Sequence, residues 1–146
     1  MRLFALAACF AGALAQQASI YYPTSGSTIH PGNQTVQVNR QPSTTGSREV
    51  DIVISIAPCH PDGTCDDPAT HLGTTLYVGP YNPQYPTPPY YGNYGIQQNF
   101  TVDIPEALAG QKAVLSVVHF ALLGASPEVL FEVVNATVNV AQKYLL

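Results

Sequence analysis

Four stretches of this chain alternate apolar and polar residues with a period of two, and that period restricts its fold more than any other feature. Val36 and Val38 alternate with Thr35, Gln37 and Asn39, and Ile52, Ile54 and Ile56 alternate with Asp51 and Ser55. Phe100, Val102 and Ile104 alternate with Asn99, Thr101 and Asp103, while Val134, Ala136, Val138 and Val140 alternate with Asn135, Thr137 and Asn139. A period of two sends successive side chains to opposite faces of an extended strand, so each stretch reads as a strand with one buried face. A fifth stretch, AVLSVVHFALL from Ala113 to Leu123, is apolar at both parities. That pattern fits a central strand whose two faces are both covered. Candidates near Ile20 to Tyr22 and Leu72 to Val78 bring the count to about seven strands.

Glycine, proline and small polar residues separate these runs, as in SGSTIHPGN and RQPSTTGS. The expectation is all-β: an antiparallel β-sandwich, immunoglobulin/fibronectin-III-like in broad shape, with long loops. Helix content is expected to be small. PEALAG, Pro105 to Gly110, fits a single turn; Ser126-Pro127-Glu128 resembles a helix start, but the valines after it disfavour a long helix.

The N-terminus, MRLFALAACFAGALA, sets Arg2 before an apolar run and closes on Ala13-Leu14-Ala15, a small-residue cleavage pattern. Residues 1–15 read as a secretory signal peptide and 16–146 as one secreted domain. The apolar run is shorter than the roughly twenty residues needed to span a bilayer, and NVAQKYLL at the other end lacks the tail of a lipid-anchor signal, so no membrane anchor is expected. Five Lys and Arg face nine Asp and Glu, for a formal net charge of −4. With no basic patch, nucleic-acid binding is excluded from the reading.

Removing the leader takes Cys9 with it and leaves Cys59 and Cys65, an even pair in an oxidising compartment with a Pro-Asp-Gly turn between them. A disulfide is expected. Three Asn-x-Thr sequons, at Asn33, Asn99 and Asn135, predict solvent-facing glycosylation sites.

Catalytic signatures are missing. The sequence has no Gly-x-Ser-x-Gly elbow, no His-Glu-x-x-His and no phosphate-binding glycine loop. His30, His60, His71 and His119 lack metal-ligand spacing, and a disulfide would consume the sulfur ligands. CHPDGTCDDPATH gathers His60, Asp62, Asp66, Asp67 and His71, yet its spacing departs from the calcium-loop pattern and suits turn formation. His119, in an apolar strand, reads as a core or sheet-face histidine bonded to backbone rather than a base. Glu128 and Glu132 could act as paired glycosidase carboxylates only with a partner opposite them. No metal, no cofactor and no enzymatic activity are expected.

The stretch GPYNPQYPTPPYYGNYG, Gly79 to Gly95, holds five of the nine tyrosines and five of the thirteen prolines. Proline excludes a helix or a central strand here, so the segment is a stiffened loop. Tyr81, Tyr85, Tyr90, Tyr91 and Tyr94 on such a loop are candidate partner-binding residues, since tyrosine offers a flat apolar ring with a polar tip. The competing expectation is that the half from Gly79 to Tyr85 folds back to complete the core.

LYVGPYNPQY, QNFTVDIP, LSVVHFALLGA and NATVNV, in that order behind a leader and a short Cys loop, resemble the fungal family of necrosis-inducing secreted effectors. The resemblance implies a non-enzymatic protein, secreted and delivered to a host, that interferes with plant receptor-like kinases of immunity and triggers host cell death. It carries over no binding residue. The rival function from another class is an extracellular carbohydrate-binding or cell-wall module whose tyrosines stack on sugar rings, a reading that the lack of tryptophan disfavours.

Overall fold

A computed structural model describes residues 18–42, 46–87 and 95–143. Eight strands lie in these residues: β1 (Ala18–Tyr22), β2 (Thr28–Ile29), β3 (Gly32–Arg40), β4 (Ser47–Pro58), β5 (Thr74–Gly79), β6 (Ile96–Ile104), β7 (Lys112–Leu123) and β8 (Glu128–Val140). One 3₁₀ turn, Glu106–Leu108, sits where PEALAG predicts a single turn. Tight turn residues at 124–127 lead directly into β8 in place of a helix.

Two sheets share one core. The smaller has the order β1-β3-β6 and the larger β2-β8-β7-β4-β5. The all-β sandwich expected from the alternation is thus the observed architecture. Two details differ from it: β2 is an additional strand of two residues, and it pairs with β8 in parallel. Its chain runs along the open edge of β8, where Gly26 N–H donates to Thr137 O, Asn139 N–H to Ser27 O and Ala141 N–H to Ile29 O. These bonds satisfy an edge that would otherwise expose its backbone groups.

Over most of their length the strands turn their apolar parity inward. Val36, Val38, Phe100, Val102 and Ile104 from the smaller sheet meet Ile52, Ile54, Ile56, Leu115, Val117, Val134 and Val138 from the larger, all buried. β7 lies between β4 and β8, paired along its whole length on both sides. Its outward residues Val114, Ser116 and Val118 are buried too, which accounts for the apolar character of both parities.

Cys59 and Cys65 are joined, with an S–S distance of 2.10 Å and Cα atoms 4.3 Å apart. The loop they close is a tight turn: Gly63 N–H donates to His60 O and His60 N–H to Thr64 O. Further on, the chain returns over β4 at Gly73, whose φ is +73°. A side-chain carbon there would sit 2.6 Å from Ala57 Cβ, so only glycine suits both the backbone conformation and the close approach.

Candidate functional site

The described residues contain one buried cluster of ionisable groups, and it lies between the sheets at the end of the core where β3, β4, β7 and β8 meet. His119 on β7 is fully buried and holds a carboxylate on each side of its ring. Its Nδ1–H donates to Glu132 Oε1 at 2.9 Å, and its Nε2–H donates to Glu49 Oε2. Arg40 Nε, at the end of β3, lies 2.8 Å from Glu49 Oε1, close enough for an ion pair though not aligned as a hydrogen bond. Arg40 also donates through a terminal nitrogen to Ser47 Oγ. Ala18 N–H, at the start of β1, donates to Glu132 Oε1 at 2.7 Å. Two cations and two anions thus face one another, and the chain from β1 through β8, β7 and β4 to β3 crosses from one sheet to the other and back.

Burial alone would hold the His119 imidazole neutral, but hydrogen bonds to Glu132 and Glu49 outweigh it and raise its pKa to about 9. At neutral pH the ring is therefore protonated and both nitrogens are donors. A base needs a free lone pair, and this ring has none to offer. The gap between Glu49 and Glu132 is likewise filled by the imidazole, which leaves no space for a sugar between the two acids.

Local geometry explains how these groups come to face inward. Counting by twos from Ile52, Ile54 and Ile56 sends Val50 inward and Glu49 outward. A β-bulge between Glu49 and Asp51 breaks that count, so Glu49 pairs with Ala121 and turns inward beside His119. Arg40 and Glu132 need no such device, because each continues the inward parity of its own strand: Val36, Val38, Arg40 and Glu132, Val134, Ala136. Parity thus signals Arg40 and Glu132 in the sequence and hides Glu49. His119 is a core histidine, but its partners are carboxylates and not backbone.

The tyrosine-rich segment divides. Tyr81 is only 3% exposed. Its ring stands edge-on to His119 at 5.4 Å and tilted against Phe100 at 6.2 Å, and its hydroxyl donates to Val38 O at 3.2 Å. Burial, helped by the charge of Glu49, pushes that hydroxyl well above its usual pKa. Tyr81 is therefore corrected from partner-binding residue to core residue: the space beside Phe100 and His119 admits a ring, and Val38 O supplies the partner its hydroxyl needs. Backbone bonds in both directions between Gln84 and Gln97 fasten this half of the segment to the edge of β6. Tyr85 stays 71% exposed and can still meet a partner. Tyr90, Tyr91 and Tyr94 lie outside the described residues.

The residues around the disulfide form turns. Thr64 donates both its N–H and its hydroxyl to Asp62 Oδ1, and His60 Nε2 lies 3.0 Å from Asp66 Oδ1. The hydrogen bond that His60 donates to Asp66 raises the pKa of His60, while the Thr64 hydroxyl lowers that of Asp62. Among the described residues no group of three or more His, Cys, Asp and Glu could hold a metal ion.

The outward faces of the sheets differ in chemistry. On the smaller sheet Asn33, Thr35 and Gln37 of β3 stand opposite Asp103, Thr101 and Asn99 of β6. On the larger sheet three successive rows are apolar on β7 and β8: Leu122 with Val129, Phe120 with Phe131, and Val118 with Val133; across β7 their partners on β4 are Arg48, Asp51 and Val53, the last of which pairs with Val78. Phe131, Val129 and Val78 are 65%, 63% and 62% exposed. The next row, Thr75, Ser55, Ser116 and Asn135, is polar.

The family model described as Nis1 family matches residues 13–139. This chain belongs to the Nis1 family. The family is fungal and effector-like, in agreement with the ordered blocks from LYVGPYNPQY to NATVNV. No curated protein matches the chain. Among solved structures, the crystal structure of an engineered protein is 13% identical with a TM-score of 0.44, covering 85% of this chain and 20% of that one. The chain thus spans about a fifth of the protein it matches, and a likeness this weak adds nothing to the reading of fold or function.

Proposed function

We propose that this member of the Nis1 family is secreted by a fungus and acts by binding rather than catalysis, engaging plant receptor-like kinases of immunity and triggering host cell death. Membership of the family over residues 13–139 carries this reading. Two observations agree with it. The buried acids and histidine neutralise one another inside the core, and Phe131 and Val129 lie side by side on β8's outward face as large exposed apolar groups, the kind of surface that suits protein contact. The disulfide between Cys59 and Cys65 supports secretion.

The test is a binding panel of the secreted protein against recombinant plant receptor-kinase ectodomains beside chitin, glucan and cellulose. Saturable binding to an ectodomain, with no retention on the polysaccharides, is the expected result. Retention on a polysaccharide without ectodomain binding would replace this reading with that of a carbohydrate-binding or cell-wall module.

A further inference from the structure

We propose that Asn33, Asn99 and Asn135 each carry an N-linked oligosaccharide, and that the first two cloak the outward face of the smaller sheet. All three asparagines are exposed, and each lies in a strand with its side chain outward. The Thr of each sequon follows on the same face, where alternation requires it to be. The donor is a lipid-linked oligosaccharide of the secretory pathway. The carboxamide nitrogen bonds to the anomeric carbon, the bond from that carbon to the lipid pyrophosphate breaks, the pyrophosphate leaves with the electron pair, and one amide proton is lost.

Placement makes these sites more than sequence motifs. Thr35 pairs directly with Thr101, so the two sequons of the smaller sheet run in opposite directions on neighbouring strands. Asn33 and Asn99 are four residues of strand and one strand apart, which is about 14 Å from the usual rise and strand spacing. Two branched glycans at that separation cover a face three strands wide. Tyr22 belongs to this face, because it pairs with Gln37, which in turn pairs with Asn99. Asn135 ends the polar row of the larger sheet, so its glycan borders the apolar rows without standing among them. The three glycans together leave the end around Phe120, Leu122, Val129 and Phe131 bare.

The test uses the full chain secreted from a fungal host. Peptide mass spectrometry after enzymatic glycan release should find aspartate in place of asparagine at positions 33, 99 and 135; an unmodified asparagine overturns the proposal at that site. Hydroxyl-radical footprinting before and after release reads the cloak itself. Oxidation of Tyr22 should rise several-fold on release while that of Phe131 stays constant. Equal reactivity of Tyr22 in both forms would overturn the cloaked face, whatever the occupancy.

Discussion

On β6, Phe100 points into the core and Thr101 beside it into solvent; on β8, Phe131 points into solvent and Glu132 beside it into the core. The first strand obeys the usual division between inside and outside, and the second inverts it at one end. Each half of an inversion needs its own physical reason. A carboxylate can be buried where it is hydrogen-bonded and charge-balanced, and Glu132 has His119 and the Ala18 amide. An exposed phenylalanine has no such internal reason, and under the function proposed above it is where a partner would sit. The two outward faces differ in chemistry: the β3–β6 face presents amides and hydroxyls to water, and the β7–β8 end presents Phe131 and Val129 beside the charges of Arg48 and Asp51.

The largest effect should come from the inward half of the inversion. Glu132→Gln leaves the protonated His119 short of one carboxylate in a buried site, and breaking such a pair destabilises by about 3–5 kcal/mol. Phe131→Ser, one residue away, should change stability by no more than about 0.5 kcal/mol, as exposed positions do. Urea unfolding of the two variants beside the parent checks this. Equal losses would show that Phe131 packs as a core residue and that the inversion carries no meaning.

The next effect is a pH dependence centred on the same cluster. Because the folded pKa of His119 is raised to about 9 from an ordinary value of 6.5, its contribution is complete below about pH 6.5 and is lost as pH rises through 9. The loss is on the order of 3 kcal/mol, from about 1.4 kcal/mol for each unit between those values. Thermal midpoints should therefore fall between pH 6.5 and 9.5 in the parent and much less in His119→Gln. A level profile for the parent across that range would mean the imidazole is neutral in the fold.

Much of this arrangement is legible in the sequence, and the exceptions have physical causes. β3, β4, β6 and the second half of β8 follow from period-two alternation, because each buries one face only. β7 announces its central place by being apolar at both parities. β2 is invisible, since two residues carry no period and its pairing depends on the free edge of β8. The fate of Tyr81 turns on a gap beside Phe100 that forms only when the sheets pack. Glu49 is the most instructive case: one extra residue at the bulge reverses its face, and nothing in the residue types of Arg48 to Asp51 specifies that bulge. The inversion on β8, by contrast, was open to a parity count, with Phe131 out of phase with Val134 and Ala136 and Glu132 in phase with them.

The most direct test of the account is whether the β7–β8 end, and not the β3–β6 face, meets a partner. Binding of a plant receptor-kinase ectodomain should be measured for the parent, for Phe131→Asp and for Asp103→Lys, after equal thermal midpoints confirm that all three are folded. A central aromatic contact is worth about 2 kcal/mol or more, so Phe131→Asp should weaken binding by about thirtyfold or more. Asp103→Lys reverses a charge on the opposite face and should stay within about twofold, as a surface change remote from the contact does. Loss of binding in Asp103→Lys with Phe131→Asp unaffected would contradict the account and move the contact surface to the smaller sheet.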